Sequence, residues 1–187
     1  GFEQGEPRGG SVRITEAGEL TLEAEERVLN DVWIANTDEG TVSRLDAATG
    51  RELGRYASVL PGPGLRPWDE GCDKLGGRGN CPSRTAVALS GDVFVANRAF
   101  LGQGSVTRIL GAGCPDRDGD GEVRSSRDVD GDGRIALDDP EEFLGAADEC
   151  LAFTVPVGAQ GGVPRALAVD PFRPPGVGSV WIGAYEE

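Results

Sequence analysis

The chain contains no histidine and no methionine. Without histidine it lacks the commonest general base and the commonest transition-metal ligand. It has no apolar run of about 18 residues, the minimum for a membrane-spanning helix. Positive charge is scarce: 18 Lys and Arg face 32 Asp and Glu, for a net charge of −14. No basic stripe is available to neutralise phosphates, so nucleic acid is not an expected partner. The CxxC spacing of zinc sites is absent, as are GxSxG, HExxH and a P-loop. Carboxylate pairs such as Asp69–Glu70 and Glu186–Glu187 are expected as solvated loop residues rather than glycosidase acids. No signal peptide is expected within the chain, which opens Gly-Phe without Met. It is expected to be a processed mature chain or an excised fragment.

Turn formers are abundant, with 30 Gly and 12 Pro in 187 residues. That composition favours many short strands over long helices. The four cysteines fall into two local pairs, Cys72 with Cys81 and Cys114 with Cys150. Each pair brackets a Gly-, Pro- or Asp-rich segment. Two disulfides closing two loops is the economical reading, and it implies an oxidising compartment, whether secreted, periplasmic or at the cell surface. Four reduced, buried cysteines are the alternative, and spacing alone leaves the connectivity open.

Three segments resemble one another: DVWIAN (Asp31–Asn36), DVFVAN (Asp92–Asn97) and SVWIGA (Ser179–Ala184). Each suits a strand packed between sheets. The first two are followed by GTVSRLD and GSVTRIL, which predict a second strand after a Gly-containing turn. SRTAVALSGD and PRALAVDP precede two of the repeats as further strands, and a fourth strand is predicted over Glu52–Val59 after a TG turn. Four antiparallel strands per unit is the pattern of a propeller blade, about 40–45 residues long. The observed repeats are longer, but two inserts account for the excess: a Pro/Gly-rich loop around the first cysteine pair and an acidic segment bracketed by the second.

The phrases VWIANTDEGTVSRLDAATGREL and VFVANRAFLGQGSVTRI resemble β-propeller repeats of the YVTN/NHL-like type, and are also similar to those of streptogramin (virginiamycin B) lyase-like proteins. The resemblance implies an all-β fold of four-stranded blades. About three blades can be counted, the last incomplete, whereas a closed propeller has about four to eight. A partial propeller is therefore expected, completed by the rest of a longer chain or left as an open array. The expected organisation is blades over 1–110, an acidic insert over 111–150 and a further, incomplete blade over 151–187.

The insert carries DRDGDGEVRSSRDVDGDGRIALDD, Asp116 to Asp139. Calcium takes six to eight oxygen ligands, and a loop with Asp at positions 1, 3 and 5, Gly at 6, a carbonyl at 7 and a carboxylate at 12 supplies them. The second loop fits with Asp128, Asp130, Asp132, Gly133, the Arg134 carbonyl and Asp139, with Asp138 beside it. The first fits with Asp116, Asp118, Asp120, Gly121 and the Glu122 carbonyl, but its twelfth position is Arg127. Asp128 is the expected closing ligand there. The loops are too close together for EF-hand helices, so the segment resembles the helix-free calcium turns of thrombospondin type-3 repeats. One short helix is predicted over Pro140–Ala147. One or two calcium ions, with a structural role, are expected, because so small an insert cannot build its own apolar core.

The expected function is a calcium-binding secreted scaffold that engages protein or glycan through its loops. The alternative, implied by the lyase resemblance, is part of a metal-assisted lyase with its catalytic residues outside this chain; the histidine of that family has no counterpart here. Arg84 and Arg165, each just before an AVAL- or ALAV-type strand, are candidate contacts for an anionic ligand, and Trp68 is a candidate exposed contact. Trp33, Phe94 and Trp181 share one repeat position and are expected in the core between blades.

Overall fold

A computed structural model describes residues 12–22, 29–70, 72, 79–170 and 179–185. The strands, in chain order, are β1 (Val12–Ile14), β2 (Leu20–Leu22), β3 (Asp31–Asn36), β4 (Thr41–Asp46), β5 (Glu52–Ala57), β6 (Cys81–Val87), β7 (Val93–Arg98), β8 (Gln103–Ile109), β9 (Leu151–Gln160), β10 (Val163–Asp170) and β11 (Ser179–Tyr185). They form four open antiparallel sheets: β1-β2, β3-β4-β5, β6-β7-β8-β9 and β10-β11. The described residues are all-β, as the turn-rich composition predicts, and no helix among them is long and apolar enough to cross a membrane.

The repeats occupy equivalent strands. β3 pairs with β4 as β7 pairs with β8, and β10 pairs with β11 as β6 pairs with β7. A shared side-chain device recurs within them. The Asn36 amide donates to the hydroxyls of Thr41 and Ser43, and the Asn97 amide donates to those of Ser105 and Thr107. Asn97 is fully buried, and it also donates to the Ser58 carbonyl at 2.9 Å, tying the end of β5 to the next sheet. A buried amide satisfied this way fixes one register, because a slipped strand would leave it unpaired.

The sheets stack through alternate faces. Trp33, Val42 and Tyr56 from the first large sheet pack against Val93, Val95, Ile109 and Leu151 from the second. Phe94 and Val106, on the opposite face of the second sheet, pack against Val180 and Ile182 of β11, together with Leu167 and Val169 of β10. Trp33 and Phe94 thus lie in successive cores, as their shared position predicts. Trp181, at the same position of the last sheet, is 68% exposed. Val32 and Ile34, on the outer face of β3, are also exposed.

The acidic insert leaves β8 after Ile109 and returns at Leu151, the first residue of β9. Its two ends are adjacent: Leu110 N–H donates to the Cys150 carbonyl at 2.8 Å, and a disulfide joins Cys114 to Cys150. The second disulfide joins Cys72 to Cys81. Because β9 pairs with β8, residues 151–160 complete the sheet begun by β6, and the following sheet starts at Val163. The insert therefore interrupts one sheet between its third and fourth strands. No helix forms over Pro140–Ala147. Phe143 N–H closes a single turn on the Asp139 carbonyl, and a 3-10 turn follows at Gly145–Ala147. Gly145, at φ 56°, ends any α-helical course there.

The turn between β3 and β4 requires glycine at position 40. Its φ is 73°, and a Cβ would lie 1.9 Å from the Trp68 carbonyl oxygen. Gly40→Ala should cost more than the roughly 1–2 kcal/mol of a left-handed alanine, since the Trp68 backbone must also move. A denaturation midpoint equal to that of the parent chain would show that this contact does not constrain the fold.

Candidate metal centre

The two Asp-rich loops have the same internal hydrogen bonds. In the second, Asp128 accepts from Gly131 N–H at 2.7 Å and from Gly133 N–H at 2.9 Å, one on each carboxylate oxygen. In the first, Asp116 accepts from Gly119 and Gly121 at the same two distances. Asp130 accepts from Asp132 N–H, and Asp132 from Arg134 N–H. Asp118 accepts from Asp120 N–H, and Asp120 from Glu122 N–H. The alternating Asp and Gly produce this directly: short carboxylates capture N–H groups a few residues ahead, and the glycines take the positive φ such turns need.

A glutamate from further along the insert seals each loop. Glu142 accepts from Val129 N–H at 3.0 Å, Asp130 N–H at 3.2 Å and Ala136 N–H at 2.9 Å. Glu149 accepts from Arg117 N–H, from Asp118 N–H at 3.4 Å and from Arg124 N–H at 2.7 Å. The N–H groups occupy the second, third and ninth positions of both loops. The closures are nested: the inner pair is Asp128 with Glu142, the outer Asp116 with Glu149. Both glutamates are buried at 4% exposure. The first loop thus takes its outside carboxylate from Glu149. Asp128 stays in its own loop, with a carboxylate oxygen 2.8 Å from Arg51 Nη2.

Asp139, the expected twelfth-position ligand, is not among the carboxylates of the second loop that lie within 4.8 Å of one another. Its carboxylate accepts from Glu141 N–H at 2.8 Å, and its carbonyl starts the turn that swings Glu142 inward. Asp138 and Arg127 are exposed. The twelve-residue calcium pattern hid Glu142 and Glu149 because each lies beyond its window. Their only sequence signal is the acidic pair of steps in PEEFLGAADEC.

Carboxylate oxygens of Asp128, Asp130 and Glu142 lie within 4.8 Å of one another, as do those of Asp116, Asp118 and Asp120. Ligands on opposite sides of a calcium ion stand about 5 Å apart, given Ca–O distances of about 2.3–2.6 Å. The spacing and the all-oxygen donor set fit a hard divalent cation, and no imidazole or free thiol is present to favour a softer one.

No family model, curated protein or solved structure matches the chain. Its chemistry has to be argued from these residues.

The backbone N–H groups of Ala136, Asp130 and Val129 hold the Glu142 carboxyl below the ordinary carboxylate range, and those of Arg124 and Arg117 do the same for Glu149. Asp116 is lowered by Gly121 and Gly119 N–H, and Asp128 by its hydrogen bond from Arg51. Asp148 runs the other way: burial pushes its carboxyl up, although it accepts from Ser126 and Cys150 N–H.

The second loop is fastened to β5. Glu52 N–H donates to the Gly133 carbonyl, and Ile135 N–H donates back to the Glu52 carboxylate at 3.0 Å. Arg55 pairs with Glu52 at 2.8 Å, and Ile135 is 2% exposed. Trp68, half-buried, meets Phe143 edge-on at 5.1 Å and packs on the core beside Leu60 and Cys114. It is a packing residue between the insert and the sheets, not the exposed contact its loop suggests. Arg84 and Arg165 are exposed, on β6 and β10, away from both loops.

Glu142→Gln should strip hydrogen-exchange protection from Val129, Asp130 and Ala136 N–H, whereas Glu141→Gln at the neighbouring exposed site should not. Equal protection in both variants would refute the closure. The pH dependence has a definite sign. Glu142, Glu149, Asp116 and Asp128 have folded values below their unfolded ones, so they stabilise the insert above the ordinary carboxylate range, about pH 4. That stability is lost as pH falls through the lower folded values. Acid titration of the metal-free chain by circular dichroism should show the insert opening in that window, and Glu149→Gln should flatten the response.

Proposed function

We propose that the chain is a segment of a calcium-binding β-propeller, in which two calcium ions shape the insert and the propeller loops engage a protein or glycan ligand. The observation that carries the calcium reading is the twin closure: two loops of the same Asp spacing, each sealed by a buried glutamate on corresponding N–H groups. The clustered carboxylates repel one another, and a bound divalent cation would relieve that repulsion while the second loop stays docked on β5. Asp128, Asp130 and Glu142 would hold the cation of the second loop, and Asp116, Asp118 and Asp120 that of the first. The role is structural: the insert has no strand, and its order comes from hydrogen bonds, a disulfide and these carboxylates.

Repeated stacking supports the propeller reading. The Trp33 face covers Val93 and Val95 of the next sheet, and the Phe94 face covers Val180 and Ile182 of the one after. By the same rule, the exposed Trp181 calls for a further sheet, and the exposed Val32 and Ile34 for a preceding one. The two disulfides support an oxidising, extracytoplasmic setting. Beside the second loop runs an open groove of about 740 Å³, lined by Ile34, Glu39 and Arg55 from the sheet and by Asp130, Asp132 and Arg134 from the loop. It is the best-placed surface for the ligand, at the junction of insert and sheet.

Calcium calorimetry should give two sites, with dissociation constants of about 10⁻⁴–10⁻³ M or tighter. At a hundredfold excess over such a constant, each site should add about 2.7 kcal/mol of stability. Asp128→Asn should remove one site and leave the other. No heat and no gain in melting temperature would sink the reading. Reduction of the Cys114–Cys150 disulfide should weaken the first site more than the second, because it frees the strand end that positions Glu149.

A further inference from the structure

In a chain of net charge −14, five of the described arginines, Arg44, Arg51, Arg55, Arg108 and Arg124, each form an ion pair with a carboxylate. Arg84, Arg98 and Arg165 form none among the described residues, and they lie together. Arg84 pairs in register with Ala96, two residues from Arg98 on β7, so the two arginines share one face of the sheet as diagonal neighbours, about 7–8 Å apart at the backbone. β10 runs alongside: the Ser83 hydroxyl donates to the Pro164 carbonyl at 3.3 Å. This puts Arg165 beside Arg84. Both β6 and β10 carry a bulge at this point, the first between Pro82 and Arg84 and the second between Pro164 and Ala166, so Arg165 is itself the extra residue. Bulges re-aim side chains and gather near functional sites.

The middle guanidinium is the most constrained. Arg98 Nε is buried and has no hydrogen-bond partner, the one such side-chain atom found among the described residues. The Phe100 ring lies 5.6 Å from the Arg98 guanidinium carbon and supports one of its faces. The next residue, Leu101, is the one non-glycine described at positive φ, 58°, and it is 73% exposed. Burial, with the like charges of Arg165 and Arg84, holds the Arg98 guanidinium below the usual arginine value. Three cations gathered with no carboxylate paired to them among the described residues, one with an orphaned buried donor, form an arrangement completed by an anion.

We propose that Arg84, Arg98 and Arg165 form a binding site for a tetrahedral oxyanion, a sulfate or phosphate group, separate from the groove beside the second loop. Guanidinium forks from three strands can each meet a separate oxygen of one group. A carboxylate offers two oxygens in one plane, whereas a tetrahedral group offers three or four that diverge to meet them. Arg98 Nε supplies the buried donor, and the exposed Arg84 and Arg165 close over the group from β6 and β10. The site does not rest on the calcium reading, since none of its residues lies in the insert.

The test is calorimetric titration of the chain with inorganic sulfate, with acetate and chloride at matched ionic strength as controls and calcium present throughout. Matching is needed because screening alone alters how like charges repel. Sulfate should bind at least about tenfold more tightly than acetate, and Arg84→Gln or Arg165→Gln should each weaken it about tenfold, the loss expected for one charge-assisted contact. Both substitutions are at exposed positions, so the fold should survive, and unchanged calcium binding in the same variants verifies it. Arg98→Lys keeps the charge but loses the fork, and it should also weaken sulfate. A sulfated disaccharide against a sugar phosphate then identifies the source of the group. Sulfate heats no larger than those of the matched controls, or full binding in Arg84→Gln and Arg165→Gln, would overturn the site.

Discussion

Glu142 and Glu149 turn both carboxylate oxygens onto backbone N–H groups of the Asp-rich loops, and the form of the insert depends on this. Residues 111–150 contain no strand and only one 3-10 turn. Their backbone donors therefore cannot be satisfied by ladders or helices. Charge-assisted bonds to buried carboxylates are about twice as strong as neutral ones, and leaving such a group unpaired costs more than a bond contributes. The outer closure brings Glu149 back to the first loop, and with it Cys150 and Leu151. Cys150 completes a disulfide and Leu151 enters the core.

The same closure lets the insert bridge two sheets. It is covalently part of the β6–β9 sheet, but its second loop is bonded to β5, the edge strand of the neighbouring sheet. Glu52 is the hinge of that contact. Its N–H meets the Gly133 carbonyl, its carboxylate meets Ile135 N–H, and Arg55 balances its charge. Paired this way, β5 does not present a bare row of N–H and C=O groups at this point, the usual hazard of an edge strand. Trp68 and Phe143 close the seam with apolar contact. A cation in the second loop would thus act on the packing of the sheets as well as on a surface turn.

Much of this was legible in the chain. DVWIAN and DVFVAN form equivalent strands because their alternation is local and their turns carry the glycines they need. The two cysteine pairs formed as spacing suggested, since each joins the ends of one excursion. The Asp-Gly triplets formed matching turns because every hydrogen bond within them spans a few residues. The closing glutamates were not legible. Asp139 satisfied the twelve-residue pattern, and nothing local marks Glu142 as a residue that reaches back to the loop's N–H groups. The predicted helix over Pro140–Ala147 failed for the same reason: Glu142 is drawn into the loop, and Gly145 takes a positive φ.

The division follows the range of the interactions. Alternating strands, glycine turns, local disulfides and Asp turns are set by neighbours in sequence, and the sequence by itself determined them. Only the tertiary structure decided which carboxylate closes which loop, which sheet owns residues 151–160, that Trp68 packs rather than protrudes, and that Arg98 joins Arg84 and Arg165. Each of these depends on which backbone donors or charges are left unsatisfied once the sheets have assembled, a condition that no single stretch of the chain contains.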